Sequence, residues 1–525
     1  MANDYDYIII GSGFGGAVAA LRLAEKGYRV AVIEQGRRYR PEDFPRTNWN
    51  LRKFLWVPQL GLYGIQAMTI LKDVFVLHGT GVGGGSLVYA ANLIEPPDEV
   101  FDDPHWGGPG WKERLAPYYQ RARQMLGVAP QEVMSPADEQ LWQCAADIGR
   151  GDTFHFNDVG IYFGEPEVTV ADPYFEGQGP DRTGCNLCAG CMVGCRYGSK
   201  NTLDLNYLHL AEQLGVNIIP EHRVVTVKPA ARGSYEVIAR KVTGLPGPKR
   251  TWRAGGVVFS AGTLGTVKLL QRCKLQGWLP DISGELGHVV RTNSEALLGI
   301  QAPDRKIDYA QGLAISAGIY PDDNTHIEAV RYAKGQTLMY LLGNVLTGGG
   351  KPWPRPLRFL GNVLRHPLQF LGSFWPFHRA ERSTVLLVMQ KINNWLRLEY
   401  RRRWWRLGGH GLTTNWHTRQ PVPSYIPIAN EFAVRMAQKQ GGLPYSVLPE
   451  VILDTSTTAH IMGGCIMADT PEQGVTDFTG KMHGYDNLYV VDSSLVAANL
   501  GVNPSLTITA VAEYVMDQFP EKEAS

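Results

Sequence analysis

The 525-residue sequence has no uninterrupted apolar run of about 18 residues, the length that a membrane-spanning helix needs. Neither charge is in excess: 51 Lys and Arg stand against 50 Asp and Glu, which gives no electrostatic reason to expect a nucleic-acid partner. The first residues, MANDYDYIII, lack the basic start and long apolar segment of a secretory signal. We therefore predict a cytoplasmic protein, in which thiols stay reduced and disulfides are disfavoured.

The chain is too long for one compact core and predicts two or three domains. Near its start, the β-branched run YIII leads into GSGFGG, an Ala- and Leu-rich helix, and a second strand, RVAVIE. Glycines there let the backbone approach a pyrophosphate, the helix start offers amide donors, and the acid can bond ribose hydroxyls. This order predicts a dinucleotide site with contacts at Gly11, Gly13, Phe14, Gly15, Gly16 and Glu34.

A second glycine cluster, GTGVGGGS, lies between two apolar segments. Residues without bulk let the backbone lie against a flat ring or a diphosphate, which favours a large flavin over diffusible NAD. The predicted contacts are Gly79, Gly81, Gly83, Gly84, Gly85 and Ser86.

With these two loops the sequence resembles the glucose–methanol–choline (GMC) oxidoreductases, and more narrowly their cholesterol oxidase branch. The further matching motifs are HRVVTV, VVFSAGTLGTVKLL, AHIMGGC and LYVVDSSLVAANLGVNPSLTITAVAE. The resemblance implies FAD and an α/β fold, with a Rossmann-type FAD-binding domain interleaved with an α+β substrate domain on a mainly antiparallel sheet. The implied FAD-binding segments are 1–40, 70–95, 181–300 and 450–525, and the substrate-binding segments are 41–69, 96–180 and 301–449.

The resemblance also implies residue roles. His460 lies at the substrate hydroxyl as base or hydrogen-bonding orienter, and Asn503 is the second polar residue there. Glu328, in THIEAVRYAKG, is the candidate proton shuttle for Δ5 to Δ4 isomerisation. The remaining implied FAD contacts are the Val225 backbone at the adenine, Asp492 at the ribityl or phosphate region, and Gly501 and Val502 at the pyrimidine end.

The implied reaction is oxidation of a lipophilic secondary alcohol, such as the 3β-hydroxysteroid cholesterol, to its ketone by hydride transfer to flavin N5. O2 or another redox acceptor would then take the electrons. One alternative is a dehydrogenase that passes electrons through an iron–sulfur cluster to a non-oxygen acceptor. Two others are a lyase similar to the fatty-acid photodecarboxylases and a sterol-carrying or sensory protein with an inactive flavin.

Residues 350–406 are rich in Pro, Trp, Phe and Arg. Short apolar helices with cationic edges are typical of segments that lie at a membrane surface, so we predict peripheral membrane contact or a lid over the substrate pocket. The alternative is a structured insertion with core aromatics and solvated arginines.

Four of the seven cysteines form C-x2-C-x2-C-x3-C: Cys185, Cys188, Cys191 and Cys195. Zinc usually takes two ligand pairs separated by a longer loop, whereas this spacing fits the bacterial ferredoxin run for a [4Fe–4S] cluster. We predict such a cluster, with Cys144, Cys273 or Cys465 as substitutes for the fourth ligand. The alternative is a group of cysteines without metal.

Overall fold

The computed structural model describes residues 3–244, 247–350, 352–402, 409–416 and 421–523. Within these ranges two seven-stranded sheets dominate the architecture, and smaller sheets and helices cover and connect them. No helix in the described ranges has both the length and the apolar character needed to cross a bilayer.

The first large sheet contains the predicted dinucleotide-binding strands. Its strands Tyr5–Ile10 and Val30–Ile33 pair in parallel, as the buried β-branched runs predict, and a long antiparallel hairpin extends one edge. Across the sheet the order is Asn217–Ile219, Val30–Ile33, Tyr5–Ile10, Lys249–Phe259, Tyr235–Lys241 and His222–Pro229, and Leu488–Val490 also pairs with Lys249–Phe259.

Two helices that are distant in sequence pack together on this sheet. Phe14–Glu25 lies against the almost fully buried C-terminal helix Ser505–Asp517. Arg22 pairs with the buried Glu513 carboxylate at 2.8 Å, which joins the beginning and the end of the chain. This packing fixes the first glycine-rich turn, which connects the carboxyl end of the central strand Tyr5–Ile10 to the helix Phe14–Glu25.

The second large sheet is antiparallel throughout. Helices Pro136–Asp147 and Pro427–Lys439 cover one face with a separate apolar core. Its order is Gly343–Val345, Leu443–Val447, Ala296–Gln301, Ser383–Gln390, Thr325–Val330, Ile315–Ile319 and His155–Phe156.

A four-stranded antiparallel sheet connects the two large ones, in the order His410–Trp416, Leu396–Arg402, Val290–Arg291 and Met462–Gly463. It combines segments that we assigned to different domains, and the domain boundaries stay a prediction. The smaller sheets are Ser456–Thr458 with Val74–Gly79 and Gln66–Ile70, Trp56–Val57 with Leu62–Tyr63, and Thr169–Val170 with Arg182–Thr183.

The remaining helices lie between the strands or on the surface. They are Leu51–Phe54, Trp111–Met125, Tyr207–Gln213, Gly262–Leu275, Arg355–Arg365, Pro367–Gly372, Arg379–Arg382 and Leu448–Ile452. The predicted fold class, an α/β protein with a parallel sheet next to a mainly antiparallel one, is confirmed.

Candidate active site

Three positions of the first glycine-rich turn leave no room for a side chain: Gly11, Gly15 and Gly16. Gly11 adopts φ +102°, and a Cβ there would overlap the Ser260 carbonyl. A Cβ on Gly15 would overlap the Val491 carbonyl, and one on Gly16 would overlap Gly11 itself. A Cβ on Gly13 would meet no atom within 4 Å, so the turn is tight towards the protein and open on its other side.

The second glycine cluster packs directly on this turn. The Gly83 N–H donates to Ser12 Oγ at 3.2 Å, and Ser12 Oγ lies 3.3 Å from the Gly81 carbonyl oxygen. A Cβ on Gly84 would lie 2.6 Å from Gly13 Cα. The two predicted loops, residues 11–16 and 79–86, therefore form one surface, which we call the glycine-rich cradle.

Glu34 lies at the end of its strand, as predicted, and joins the same structure. Its carboxylate accepts hydrogen bonds from the Ser12 N–H at 3.1 Å, the Ser12 hydroxyl at 2.9 Å and the Gly36 N–H at 2.8 Å. Burial raises the pKa of Glu34, while the bonds from Gly36 and Ser12 act in the opposite direction. Glu34 thus stabilises the cradle, and its role at a ribose stays a prediction.

Several features around the cradle fit FAD. The ladder register shifts between Val224 and Thr226, which leaves Val225 out of the regular strand pairing, and its carbonyl accepts from the Thr226 hydroxyl at 2.8 Å. Thr80 Oγ1, buried in the second loop, has no hydrogen-bond partner among the described residues. Phe14 packs edge-on against Tyr89 with ring centroids 5.8 Å apart. A helix start, open glycines, a bulged strand and an unpartnered buried hydroxyl suit a dinucleotide with a diphosphate.

Asp492, Gly501 and Val502 have internal partners. The Asp492 carboxylate accepts from the Ser494 N–H at 2.8 Å and from the Thr266 hydroxyl at 2.5 Å, and burial raises its pKa. Asn293 accepts from the Gly501 N–H at 2.8 Å and donates to the Val502 carbonyl at 2.9 Å. Asn293 therefore holds this backbone segment in place, a role that no motif around it indicates.

His460 lies in a loop held from both sides. Its backbone N–H donates to Thr458 Oγ1 at 2.8 Å, and the Thr458 hydroxyl donates to the Thr292 carbonyl at 2.9 Å. The Nδ1 atom bonds Glu295, whose second oxygen accepts from the Ala459 N–H at 2.9 Å. Among the described residues the ring bonds Glu295 through Nδ1, which leaves Nε2 for a substrate.

The charges around His460 favour its protonated form. Burial lowers the pKa of His460, but the Glu295 carboxylate, and to a lesser extent Glu328, raise it, and the net direction is upward. Glu295 was missed by the sequence reasoning. It ends a fully buried polar run, 291–295, in which nothing in the local sequence indicates contact with residue 460.

Glu328 is fully buried at the centre of three asparagine amides. Asn92 and Asn157 donate to its Oε1 at 3.0 and 2.7 Å, and Asn503 donates to its Oε2 at 3.2 Å. Burial raises the pKa of Glu328 to about 7, and the three amides and the nearby His460 act in the opposite direction.

The three predicted catalytic residues thus come together. Asn503 contacts Glu328 directly, and His460 and Glu328 interact electrostatically. We call the group of His460, Glu295, Glu328, Asn503, Asn92 and Asn157 the polar pocket. The sequence reasoning missed Asn92 and Asn157. Asn92 lies within the matched motif GTGVGGGSLVYAANL and could have been found there, whereas no pattern singles out Asn157.

The four clustered cysteines line one cavity together with Lys200. Burial raises the pKa of the Cys188 thiol, and it raises the pKa to about 11 for Cys185 and to about 12 for Cys191. No set of three or more Cys, His, Asp or Glu side chains in the described residues is arranged to hold a metal ion. Cys144, Cys273 and Cys465, the proposed substitutes, are buried and do not line this cavity.

A buried lysine links the cysteine cavity to the glycine-rich cradle. Lys200 donates to the carbonyls of Leu87, Tyr89 and Cys191 at 3.0, 3.2 and 2.8 Å. Burial lowers the pKa of Lys200 to about 8. The cysteine segment is therefore packed directly behind the segment that follows the second glycine loop.

The described part of the basic, aromatic stretch forms three short helices, followed by the strands Ser383–Gln390 and Leu396–Arg402. Residues 351 and 403–406 lie outside the described ranges. Arg355 and Phe359 are buried and anchor it, and Asn344 donates to Ser373 Oγ at 2.6 Å. Most large apolar side chains of residues 353–377 point outward. We call this set the exposed apolar patch: Trp353, Leu357, Leu360, Leu364, Leu368, Leu371, Phe374, Trp375 and Phe377.

Comparison with known families finds two matches in this chain. A model described as GMC oxidoreductase matches residues 431–512, which include His460 and Asn503, and a model of an FAD-binding domain matches residues 6–41. The cholesterol oxidase of Acinetobacter baumannii is 43% identical over 535 residues, covering 99% of this chain and 95% of the relative.

The cholesterol oxidase of Mycobacterium tuberculosis (strain H37Rv) is also 43% identical over 543 residues, covering 99% of this chain and 92% of the relative. Among solved structures, a variant of Aspergillus oryzae formate oxidase superposes with a TM-score of 0.64 at 15% identity, covering 98% of both chains. At that identity the likeness shows the fold alone.

Proposed function

Because the chain belongs to the GMC oxidoreductase family, in the branch of the cholesterol oxidases, we propose that it oxidises the 3β-hydroxyl of a sterol such as cholesterol to the ketone. The chain is an FAD-dependent alcohol oxidoreductase. The sterol as substrate and O2 as acceptor rest on the relatives' names. The observation that carries the proposal is the convergence of His460, Asn503 and Glu328 in one buried pocket.

FAD would be held by the glycine-rich cradle, the bulged backbone at Val225, and the segment around Gly501. When bound, FAD supplies the acceptor for the hydride that leaves the alcohol carbon. The protein has the remaining tasks: it orients the hydroxyl, removes its proton and excludes water from the pocket.

His460 acts as the orienting group. With its pKa raised and Nδ1 bonded to Glu295, the ring donates from Nε2 to the substrate oxygen. The fixed ring plane directs the hydroxyl towards Glu328, since Glu295 and the Thr458 contact hold the loop on both sides.

Glu328 acts as the proton acceptor. A carboxyl with a pKa of about 7 is substantially ionised at neutral pH, and it can take up a proton and return it. The same property suits the Δ5 to Δ4 isomerisation, in which one carboxyl moves a proton from C4 to C6 of the steroid. Asn503 holds Glu328 by one oxygen, and Asn92 and Asn157 hold it by the other.

Replacement of His460 tests the proposal. His460→Gln should keep FAD bound while the rate of anaerobic flavin reduction by a 3β-hydroxysteroid falls by about 10²-fold or more. The measurement is stopped-flow absorbance of the flavin band, with flavin content as the check on folding. His209, which is half-buried and lies outside the polar pocket, gives the matched control His209→Phe, which should reduce at the wild-type rate. Unchanged reduction in His460→Gln would refute the catalytic assignment.

Contact with a sterol-containing membrane belongs to the same proposal. The apolar patch is anchored by buried residues, and Trp375 and Phe377 line a surface cavity together with Arg305, Lys306 and Arg382. Apolar side chains rimmed by cations match the acyl region and the anionic headgroups of a bilayer. The patch would give the pocket access to a substrate that dissolves poorly in water.

Vesicle sedimentation tests the membrane contact. The double variant Leu364→Ser with Leu368→Ser should lose binding to sterol vesicles that contain phosphatidylglycerol, while turnover of detergent-dissolved sterol stays at the wild-type rate. Leu60→Ser is the control, because Leu60 and Leu364 are both 74% exposed but Leu60 lies outside the patch. Equal sedimentation of both proteins would refute this part of the proposal.

Two alternatives have their own tests. No group of side chains in the described residues is arranged to hold a metal ion, so we derive no electron transfer through the cysteines. Iron and sulfide analysis of the purified protein tests whether the predicted [4Fe–4S] cluster is present. Turnover with artificial acceptors and little hydrogen peroxide would favour the dehydrogenase. Light-dependent CO2 release from a fatty acid would favour the lyase, against which His460 and Asn503 argue.

A further inference from the structure

A buried histidine next to the polar pocket has no function in the reaction described so far. His326 is 1% exposed, and neither ring nitrogen has a hydrogen-bond partner of ordinary geometry in the described residues. The Gly501 backbone, His155 and Lys391 lie close enough to affect its pKa. A buried polar group without a partner costs free energy, so its presence calls for a physical reason.

The strand arrangement places His326 beside Glu328. Both lie on the strand Thr325–Val330 two residues apart, so their side chains project from the same face. Glu328 is opposite Gly318 on the next strand, and Gly318 is opposite His155 on the edge strand. Glu328 and His326 on one strand and His155 on the edge strand thus lie on one side of the sheet, with Gly318 on the strand between them.

Gly318 makes room for the two imidazoles. A Cβ there would overlap His326 Nε2 and would lie 3.1 Å from His155 Nε2. Both Nε2 atoms therefore point into the space above this glycine. The His326 and His155 rings stack with centroids 5.2 Å apart, and Tyr320 stacks on His326 at 4.6 Å.

Glu328, His326 and His155 extend from the buried Glu328 carboxyl towards the protein surface. Asn157, two residues after His155, donates to Glu328, while its own Oδ1 is buried without a partner in the described residues. The Asn92 Oδ1 atom is likewise buried without a partner in the described residues, and polar sites of this kind commonly hold an ordered water. At the outer end, His155 is half-buried on the edge strand, and its Nδ1 donates to the Thr153 carbonyl at 2.9 Å.

We propose that His326 and His155 carry protons between the Glu328 carboxyl and the protein surface. This inference rests on the proposed function, in which Glu328 takes the hydroxyl proton. When the alcohol is oxidised, its C–H bond breaks with the electron pair going to the flavin, and its O–H bond breaks with the proton going to Glu328. That proton passes through water to one ring nitrogen of His326, and His326 gives up a proton to His155, which releases one to solvent. Each ring gains one proton and loses one, so both end neutral.

The neighbouring charges favour neutral rings that take up a proton only transiently. Burial lowers the pKa of His326, and His155 and Lys391 lower it further, whereas Gly501 raises it. Burial also lowers the pKa of His155. Lys391 is paired with Glu99, and Tyr320 faces both Glu328 and Glu99.

Anaerobic mixing with a 3β-hydroxysteroid and a pH-indicator dye in weak buffer measures flavin reduction and proton release separately. In the wild type, we expect proton release to follow flavin bleaching without delay. In His326→Phe, bleaching should slow by less than about threefold and proton release by about tenfold or more. His155→Phe, at the half-buried end, provides a second variant if His326→Phe does not fold, as judged by flavin content.

Chemical rescue distinguishes proton transfer from a structural role. Imidazole added to His326→Ala should restore prompt proton release, which a purely structural defect would not show. The control His209→Phe, at a half-buried position outside the polar pocket, should match the wild type in both signals. Prompt proton release in both Phe variants would overturn the relay and leave the proposed function intact. A wild-type flavin that no alcohol bleaches would overturn the proposed function and the relay with it.

Discussion

The glycine-rich cradle and the polar pocket depend on the sequence in different ways. The cradle consists of two continuous stretches, residues 11–16 and 79–86, in which backbone conformation and close packing require glycine. The polar pocket takes one residue from each of six segments, which lie between positions 92 and 503. The cradle therefore depends on the backbone conformation of neighbouring residues, whereas the polar pocket forms only when the sheets assemble.

The largest expected effect comes from a side chain inside the cradle. Gly15→Val should abolish FAD binding and most soluble expression, because the new Cβ would overlap the Val491 carbonyl. Gly13→Ala is the matched control: its Cβ meets nothing within 4 Å, so the protein should fold with at most weaker FAD binding. Flavin content and thermal unfolding measure both. Equal behaviour of the two variants would show that the cradle is not held by this packing.

The second prediction concerns stability in the polar pocket. Burial raises the pKa of Glu328 from 4.5 to about 7, so the neutral carboxyl is the form that suits the fold. Its stabilising contribution is complete below about pH 4.5 and is lost as the pH rises through about 7. Glu328→Gln cannot ionise, and its free energy of unfolding relative to wild type should rise over that range by up to about 3 kcal/mol.

Denaturant unfolding at a series of pH values measures this difference. The exposed Glu472→Gln is the control and should differ from wild type by the same amount at each pH. A constant difference for Glu328→Gln would contradict the raised pKa.

A smaller effect is expected from Glu295, which acts through His460 as a positioning residue. Glu295→Gln removes the charge that raises the pKa of His460, so the protonated ring should be lost at lower pH. The upper limb of the pH profile of flavin reduction should move to lower pH, and the maximal rate should fall by about tenfold. An unchanged pH profile with a lower rate would indicate a purely structural role.

The smallest effect is expected for Ser12, which joins the two loops of the cradle. Ser12→Ala removes hydroxyl contacts with Glu34, Gly81 and Gly83, but the backbone bond from residue 12 to Glu34 stays. Stability should fall by about 1 kcal/mol, as for a typical buried hydrogen bond. Thermal unfolding of the FAD-loaded protein measures it. A loss as large as that of Gly15→Val would mean that the hydroxyl, and not glycine packing, holds the cradle together.

The same contrast explains which residues the sequence could predict. The four cysteines are close in sequence, so their convergence on one cavity followed from spacing, whereas the directions of their thiol groups did not. Glu295 and Asn157 have no motif around them, and their partners lie 165 and 171 positions away. His326 shows the same limit, because its stacking with His155 depends on the register of three strands.

The sequence by itself determined the family and the two glycine-rich loops of the cradle, and it predicted His460, Asn503 and Glu328 as site residues. Glycine turns and matched motifs are short, and their chemistry follows from neighbouring residues. Only the tertiary structure decided that Glu295 holds His460, that three asparagines surround Glu328, and that two histidines lie behind it. The physical reason is that burial and strand pairing set these contacts, and both depend on segments brought together from across the chain.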